Sequence, residues 1–534
     1  MTAPAPPAID YTDKDFRSLR AAMLRLAQQR LPEWTDQSPA DLGMLLVDLF
    51  AYVGDVVLYY QDRIASEMFP STATERASVV DLLRLIGYEL STASPASADL
   101  TLTFPMPPAP LTVVVPHGAR FTTGPADGAP VEFTYLGPDL ALALLSDQLR
   151  ADVDAEDRPV RRYDGLAVEQ SRQVGPAVLG SSTGEANQTF RLPDQAVVVD
   201  SVLVEVNEGA GWVVWDRRDS LLFDVAPDGR ALLSHPEARH YQVLVDGTGT
   251  AHVVFGTGRT PPVGPNNVRA TYRVCVGAAG NVAAGAITTA LTAIPTLQAV
   301  CNRLGAAGGS DTERADHAIR YAPFAFRAIN RAVTASDYVA LTQRIGAVAK
   351  VRARSRSWNQ IDVYVAPAGP VCQPVPEQLR RRLVGYLEDK RMAGTLVRVL
   401  DARCVAIDIT AELVADERFA ADAVVSKVEA AIAAVLAFDT VDFGQTVFLS
   451  DFYAAVEATE GVVAVTITTF RRQDRRPVDA EAELARYRLP PLAALPQFLR
   501  DAVTLDVPAE GRIELGEFEI PTLGALDVHL RGQR

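Results

Sequence analysis

The stretch Gly308–Arg356, GGSDTERADHAIRYAPFAFRAINRAVTASDYVALTQRIGAVAKVRARSR, constrains the chain more than any other, because it fixes helix starts, helix stops and a change to strand periodicity in one short interval. Gly308 and Gly309 end the preceding element. Ser310, followed three residues later by Glu313, has the pattern in which each member satisfies an amide of the other's turn, so a helix is expected to begin near Asp311. Pro323 disfavours helical geometry at Ala322 and removes a donor, which stops or kinks that helix and leaves Phe324, Phe326 and Ile329 to anchor a connector. Thr334 and Asp337 repeat the capping pattern; Tyr338, Leu341 and Ile345 share a face of the second helix, and Gly346 is expected to end it as a left-handed residue. After Val348 the period becomes two. Lys350, Arg352, Arg354 and Arg356 then lie on one face of a strand and Val351 and Ala353 on the other; a solvated face is the simpler reading and an acidic partner surface the alternative.

Upstream, three helices are expected. Thr12 and Asp15 can cap one carrying Phe16, Leu19, Met23 and Leu26, after a mobile Ala- and Pro-rich start. Ser38 as cap, Pro39 in the first turn and Asp41 near the positive end of the dipole begin a second. Its apolar stripe, Leu42, Leu45, Leu46, Leu49, Val53, Val56, Val57, Tyr60, Ile64 and Met68, covers about 45 Å at about 1.5 Å per residue. Thr72 and Glu75 cap a third, holding Val79, Leu82, Leu83 and Ile86 and stopping near Gly87. So long an apolar surface is costly to leave wet, and either neighbouring domains of the chain or a partner bundle must cover it.

From Ser91 to Ala307 short alternating runs rich in Val, Thr, Gly and Pro indicate β-structure, with Leu100, Leu102 and Phe104 on one strand face and Phe133 in the strand paired after the Pro116–Gly118 turn. Residues 145–178 are charged and poorly patterned and read as a loop or insertion. Past Arg356, strands alternate with helices, which suggests a split βαβ, ferredoxin-like arrangement. The fold class is thus α+β and multidomain: an N-terminal helical bundle over 1–92, β-rich domains over 93–184 and 185–307, a helical connector over 308–347, the α+β unit over 348–470, and a tail with a final hairpin, Gly511 to Leu530, over 471–534.

The residues Gly308, Gly309, Asp311 and Glu313, then Ala322 and Pro323, then Arg331, Ala332, Val333, Thr334, Asp337 and Tyr338 resemble the baseplate J-like family, wedge proteins of contractile phage tails and phage-tail-like injection particles. The three N-terminal helices are similar to that family's helical region. So are Phe255, Gly256 and Gly258, Pro261 and Pro262, Tyr272 and Arg273, and the turn Gly280–Asn281, although Thr257 stands where an aspartate is usual. The resemblance implies two copies per wedge, a helix bundle with other wedge subunits through Leu42, Leu45, Leu49, Val53, Val56, Tyr60 and Ile64, and six wedges in a ring around the hub, joined to hub and sheath-initiating proteins. It implies a phage tail or injection particle, assembled in the cytoplasm.

The chain has 534 residues, 48% hydrophobic, and a formal charge of −15, which argues against a nucleic-acid binder driven by phosphate neutralisation. No linear apolar run approaches a membrane span and no secretion signal opens the chain, so neither membrane insertion nor export is expected. Cys275, Cys301, Cys372 and Cys404 are widely spaced and read as free thiols; His235 and His240, with Pro236 between, are not expected to hold a metal. Gly305–Gly309 lacks the lysine of a phosphate loop, and no nucleophile elbow or zinc-helix pattern occurs. A structural subunit without cofactor or catalytic step is the expectation, and a β-rich receptor- or glycan-binding protein is the alternative.

Overall fold

The computed structural model describes residues 14–86, 88, 90–124, 129–225, 231–246, 248–320, 331–475, scattered positions between 484 and 496, 506–508 and 510–533. Thr12, Gly87, Ala322, Pro323, Phe324, Phe326 and Ile329, which carry several expectations, lie outside them.

The helical region consists of α1 (Phe16–Arg30), α2 (Leu42–Glu67) and α3 (Arg76–Leu85). Asp15 starts α1 by a reciprocal box with Ser18. Helix α2 starts later than Ser38: its cap is Asp41, whose carboxylate accepts from the Met44 amide at 3.1 Å and from the Trp34 indole at 2.9 Å. Helix α3 has Glu75 at its cap position, but that side chain makes no capping bond and pairs with Arg63 instead. Instead the Glu67 carboxylate, at the end of α2, accepts the Thr74 hydroxyl at 2.7 Å and amide at 3.0 Å and the Glu75 amide at 3.3 Å. The Thr74 hydroxyl is the main reason the Glu67 carboxyl is lowered to about 2. One side chain therefore closes the corner between two helices, replacing the expected Thr72–Glu75 pair.

Two β-units follow. The first is a seven-stranded antiparallel sheet ordered Ile287–Ala290, Arg120–Thr123, Glu132–Tyr135, Pro159–Glu169, Ser97–Pro105, Ala299–Asn302, with Arg150–Val153 also on Pro159–Glu169. Leu100, Leu102, Phe104, Phe121 and Phe133 fill its core. The second packs a four-stranded sheet built on Val197–Asn207 and Gly264–Val274 against another built on His240–Val245 and Ala251–Phe255, around Trp215, Tyr241, Phe255 and Tyr272.

Sheet membership corrects the boundary drawn at 184/185: Arg172–Ser182 belongs to the second unit, whereas Ile287–Ala290 and Ala299–Asn302 return to the first. Nor is 145–178 a loop, since it holds three strands or parts of strands. Its alternation is hidden because charged side chains pair across the ladder, as Arg162 does with Asp152 at 2.6 Å.

After a helical turn at 315–320 come α4 (Ala335–Gln343), the hairpin Val348–Ser357 and Gln360–Pro367, α5 (Glu377–Glu388) and the parallel strand Leu396–Asp401. Leu379, Leu383 and Leu387 turn inward from α5 as their spacing predicts. A second three-stranded sheet, Val462–Arg472, Arg403–Ala415 and Glu519–Gln533, carries α6 (Ala421–Val435) and α7 (Leu449–Glu457). Among the described residues the C-terminal strands thus form two three-stranded sheets and a short ladder of Val447–Phe448 with Arg512–Ile513, rather than one ferredoxin-like sheet. Glu519–Gln533 is no separate hairpin; it runs parallel to Arg403–Ala415 along its whole length. On the basic face of Val348–Ser357, Arg352, Arg354 and Arg356 are exposed, as the simpler reading has it, while Lys350 is half-buried 5.2 Å from the Phe438 ring and Arg354 lies 4.9 Å from Phe518. Cys372 and Cys404, expected as free thiols, form a disulfide, because the fold brings their Cα atoms to 6.0 Å. Cys275 and Cys301 are free.

Candidate protein-docking surface

Helix α2 is built inside out. Asp41, Asp48, Asp55 and Asp62 recur every seven residues, a spacing that places them along one slowly drifting line of the helix. Three of them fasten the preceding segment. Asp41 takes the Trp34 indole, Asp48 pairs with Arg20 of α1 at 2.5 Å, and Asp55 accepts the Phe16 amide at the start of α1 at 2.9 Å. On the same seam Met44 and Ala51 are buried, and Gly54 gives α1 room, for a Cβ there would lie 3.0 Å from the Leu19 side chain. The polar line therefore faces this chain and the apolar residues face away from it.

Of the residues predicted to dock, Leu42, Leu45, Leu49, Val53, Tyr60 and Ile64 are exposed, Leu42 at 69% and Ile64 at 65%; Val56 is half-buried at the edge of the seam. The surface is wider than the predicted stripe. Leu46, Phe50, Tyr52, Val57 and Tyr59 are also exposed, as are Met68 and Phe69 beyond the helix end. Burying one such side chain contributes about 1.5–3 kcal/mol, so the uncovered surface is a strong drive to associate. By length and composition α2 could also cross a membrane, contrary to the expectation from linear runs. The aspartates interrupt every linear run but leave the helix average apolar.

The first family-motif residues, Gly308, Gly309, Asp311 and Glu313, gather elsewhere, in a junction beneath the helices. Gly308 has φ +86°, and at Gly309 a Cβ would stand 2.5 Å from the Gly277 carbonyl oxygen, so both positions require glycine. Asn281 donates to the Gly309 carbonyl at 2.7 Å and accepts its amide at 2.8 Å, and Asp311 accepts the Ala278 amide at 3.0 Å. Ser310 and Glu313 do not form the expected capping box. Ser310 bridges to Ser94, and Glu313, 8% exposed, accepts the Tyr88 hydroxyl at 2.8 Å, the Ser91 amide at 2.9 Å and a contact from His317 Nδ1 at 2.6 Å. Burial pushes the Glu313 carboxyl up, but bonds from His317, Ser91 and Tyr88 outweigh it and hold the group below the ordinary carboxylate value. Burial, with the Glu313 charge beside it, raises Tyr88.

Thr334 and Asp337 do form their box, and Tyr338 is buried. Arg331 is exposed. Gly346 is not a left-handed cap; a Cβ there would lie 2.6 Å from Ser310 Oγ, so its smallness admits the junction loop. The motif is thus a staple from the chain's helices through its β-units to the α+β region. Sequence reasoning missed the aspartate seam, whose seven-residue period was there to be found.

A helix that hides its carboxylates and shows its leucines, carried on a stapled β-rich body, defines an assembly component. Residues 15–85 match the family described as bacteriophage baseplate protein, N-terminal domain, and residues 330–400 match the baseplate J-like central domain. These two matches support a baseplate J-like family and a structural role in a baseplate. No curated protein matches. Among solved structures it is similar to a chain of the anti-feeding prophage (AFP) baseplate, cryo-EM, 6-fold symmetrised, at 11% identity and TM-score 0.32 over 98% of this chain and 96% of that one. It is also similar to a chain of the type VI secretion system TssK-TssF-TssG baseplate subcomplex, at 10% identity and TM-score 0.29 over 66% of this chain and 96% of that one.

Proposed function

We propose that this protein is a wedge subunit of a contractile tail or contractile injection particle and acts mechanically, without a catalytic step or cofactor. Two copies and a third wedge protein would pack their helices into a bundle over the α2 surface, and six such wedges would ring the hub and hold the first layer of sheath. The observation that carries this reading is the orientation of α2: its aspartates at 41, 48 and 55 are spent on its own chain while Leu42, Leu45, Phe50 and Ile64 are bare. Changes of ring diameter on firing need interfaces with two packings of similar energy, and a staple such as the Glu313 junction would carry the movement of the helices into the body. A membrane-crossing role for α2 fits less well, because the Asp48 and Asp55 partners would have to enter the bilayer with it. Co-expression with the products of its neighbouring genes, followed by size exclusion and electron microscopy, tests the proposal. A hetero-oligomeric wedge is expected; a lone stable trimer with glycan affinity, or detergent-dependent solubility of the isolated chain without any wedge, would contradict it.

A further inference from the structure

Beside the Glu313 junction a cavity of about 550 Å³ opens between α3, the second β-unit and the α4–α5 region. Its size falls within the range of small-molecule sites, roughly 300–1,000 Å³. Its charge runs against that of the molecule: seven Arg and Lys side chains line it against four Asp, in a chain of net charge −15.

Several of those cations are already committed. Arg84 donates to the Val245 carbonyl, and Arg217 and Arg382 share the single Asp200 carboxylate at 3.0 and 3.5 Å. Arg344 and Lys390 are different. Each is placed by an aromatic ring, Arg344 at 5.4 Å from Tyr88 and Lys390 at 5.4 Å from Tyr386, and neither meets a carboxylate or other hydrogen-bond acceptor among the described residues. A ring holds a cation in position without using its N–H donors. Arg344 follows α4, Lys390 follows α5, and Tyr386 on α5 lines the same cavity, as does Ser91, whose amide is bound to Glu313.

We propose that this cavity binds a small multivalent oxyanion, a di- or triphosphate or a polycarboxylate, whose oxygens take the donors of Arg344 and Lys390. Chemistry supports an oxyanion over a halide: a guanidinium presents paired donors that match two oxygens of one group, and an ammonium adds a point charge. Bound there, the anion would join the first turns after α4 and α5 to the segment around Ser91, tightening the same junction that the family motif staples. This goes beyond the wedge assignment and does not depend on it.

Calorimetric titration of the full-length chain with inorganic pyrophosphate, and in parallel with citrate, at ionic strength held constant with sodium chloride, tests the site. Saturable one-site binding is expected for at least one of the two, and the stronger of them assigns phosphate or carboxylate chemistry. Lys390→Gln and Arg344→Gln should each weaken it about tenfold, the size of one charge-assisted hydrogen bond, while Arg20→Gln in the α1–α2 seam should leave it unchanged. Should Arg344→Gln disturb folding, Lys390→Gln alone decides. No saturable binding of either anion at millimolar concentration, or equal affinity in Lys390→Gln, would overturn the proposal.

Discussion

The helical arm and the Glu313 junction invert each other. In the arm, carboxylates lie inside against α1 and large apolar side chains lie outside; in the junction, a carboxylate is buried and every oxygen is used by partners from distant segments. The junction is complete within one chain, whereas the arm leaves its apolar face bare. A buried polar group requires all its partners at once, which suits a permanent staple, while an apolar face binds without direction until a complementary surface arrives.

The sharpest way to break this contrast is to make the arm polar. Leu45→Asp with Leu49→Asp should abolish co-purification with wedge partners, yet shift the unfolding of the isolated chain by no more than about 0.5 kcal/mol, because both side chains are already in water. A large loss of stability in the isolated chain would mean that the chain covers them itself. The junction should behave in the opposite way. Glu313→Ala strands the Tyr88 hydroxyl and the Ser91 amide and should cost about 3 kcal/mol in denaturant unfolding of the isolated chain, before any partner is added.

Acid sharpens the same point. Because the folded-state pKa of Glu313 lies below its ordinary value of 4.5, its contribution is present in full above about pH 4.5 and is lost as pH falls through the lower, folded value. The stability gap between wild type and Glu313→Gln should therefore narrow as pH drops below about 4.5, read by chemical unfolding across pH. Arg20→Ala should have the smallest effect, about 1 kcal/mol or less, since both it and Asp48 are partly solvated; it should appear as faster hydrogen exchange in α1.

What was legible in the sequence was what local period and capping encode. The apolar residues of α2, the Thr334–Asp337 box and the inward leucines of α5 all follow from spacing within one element. What failed depended on partners far along the chain. Glu313 has the spacing of a helix cap but is claimed by Tyr88 and Ser91, more than two hundred residues earlier. Gly511 to Leu530 reads as a final hairpin because nothing local announces that Glu519–Gln533 runs parallel to Arg403–Ala415. Cys372 and Cys404 are distant in sequence and adjacent only once two sheets are in place. Asp48 and Asp55 carry a readable seven-residue period, but polar residues between apolar ones read as solvent-facing. Here they face the chain.

Hydroxyl-radical footprinting of Phe50, Tyr52, Tyr59 and Tyr60, compared between the isolated chain and the assembled baseplate, tests the inside-out arm most directly, for all four rings are exposed here and need no substitution to report. Strong oxidation in the isolated chain and protection in the particle is the predicted result. Equal oxidation in both would show that nothing docks on α2, and the account would fail.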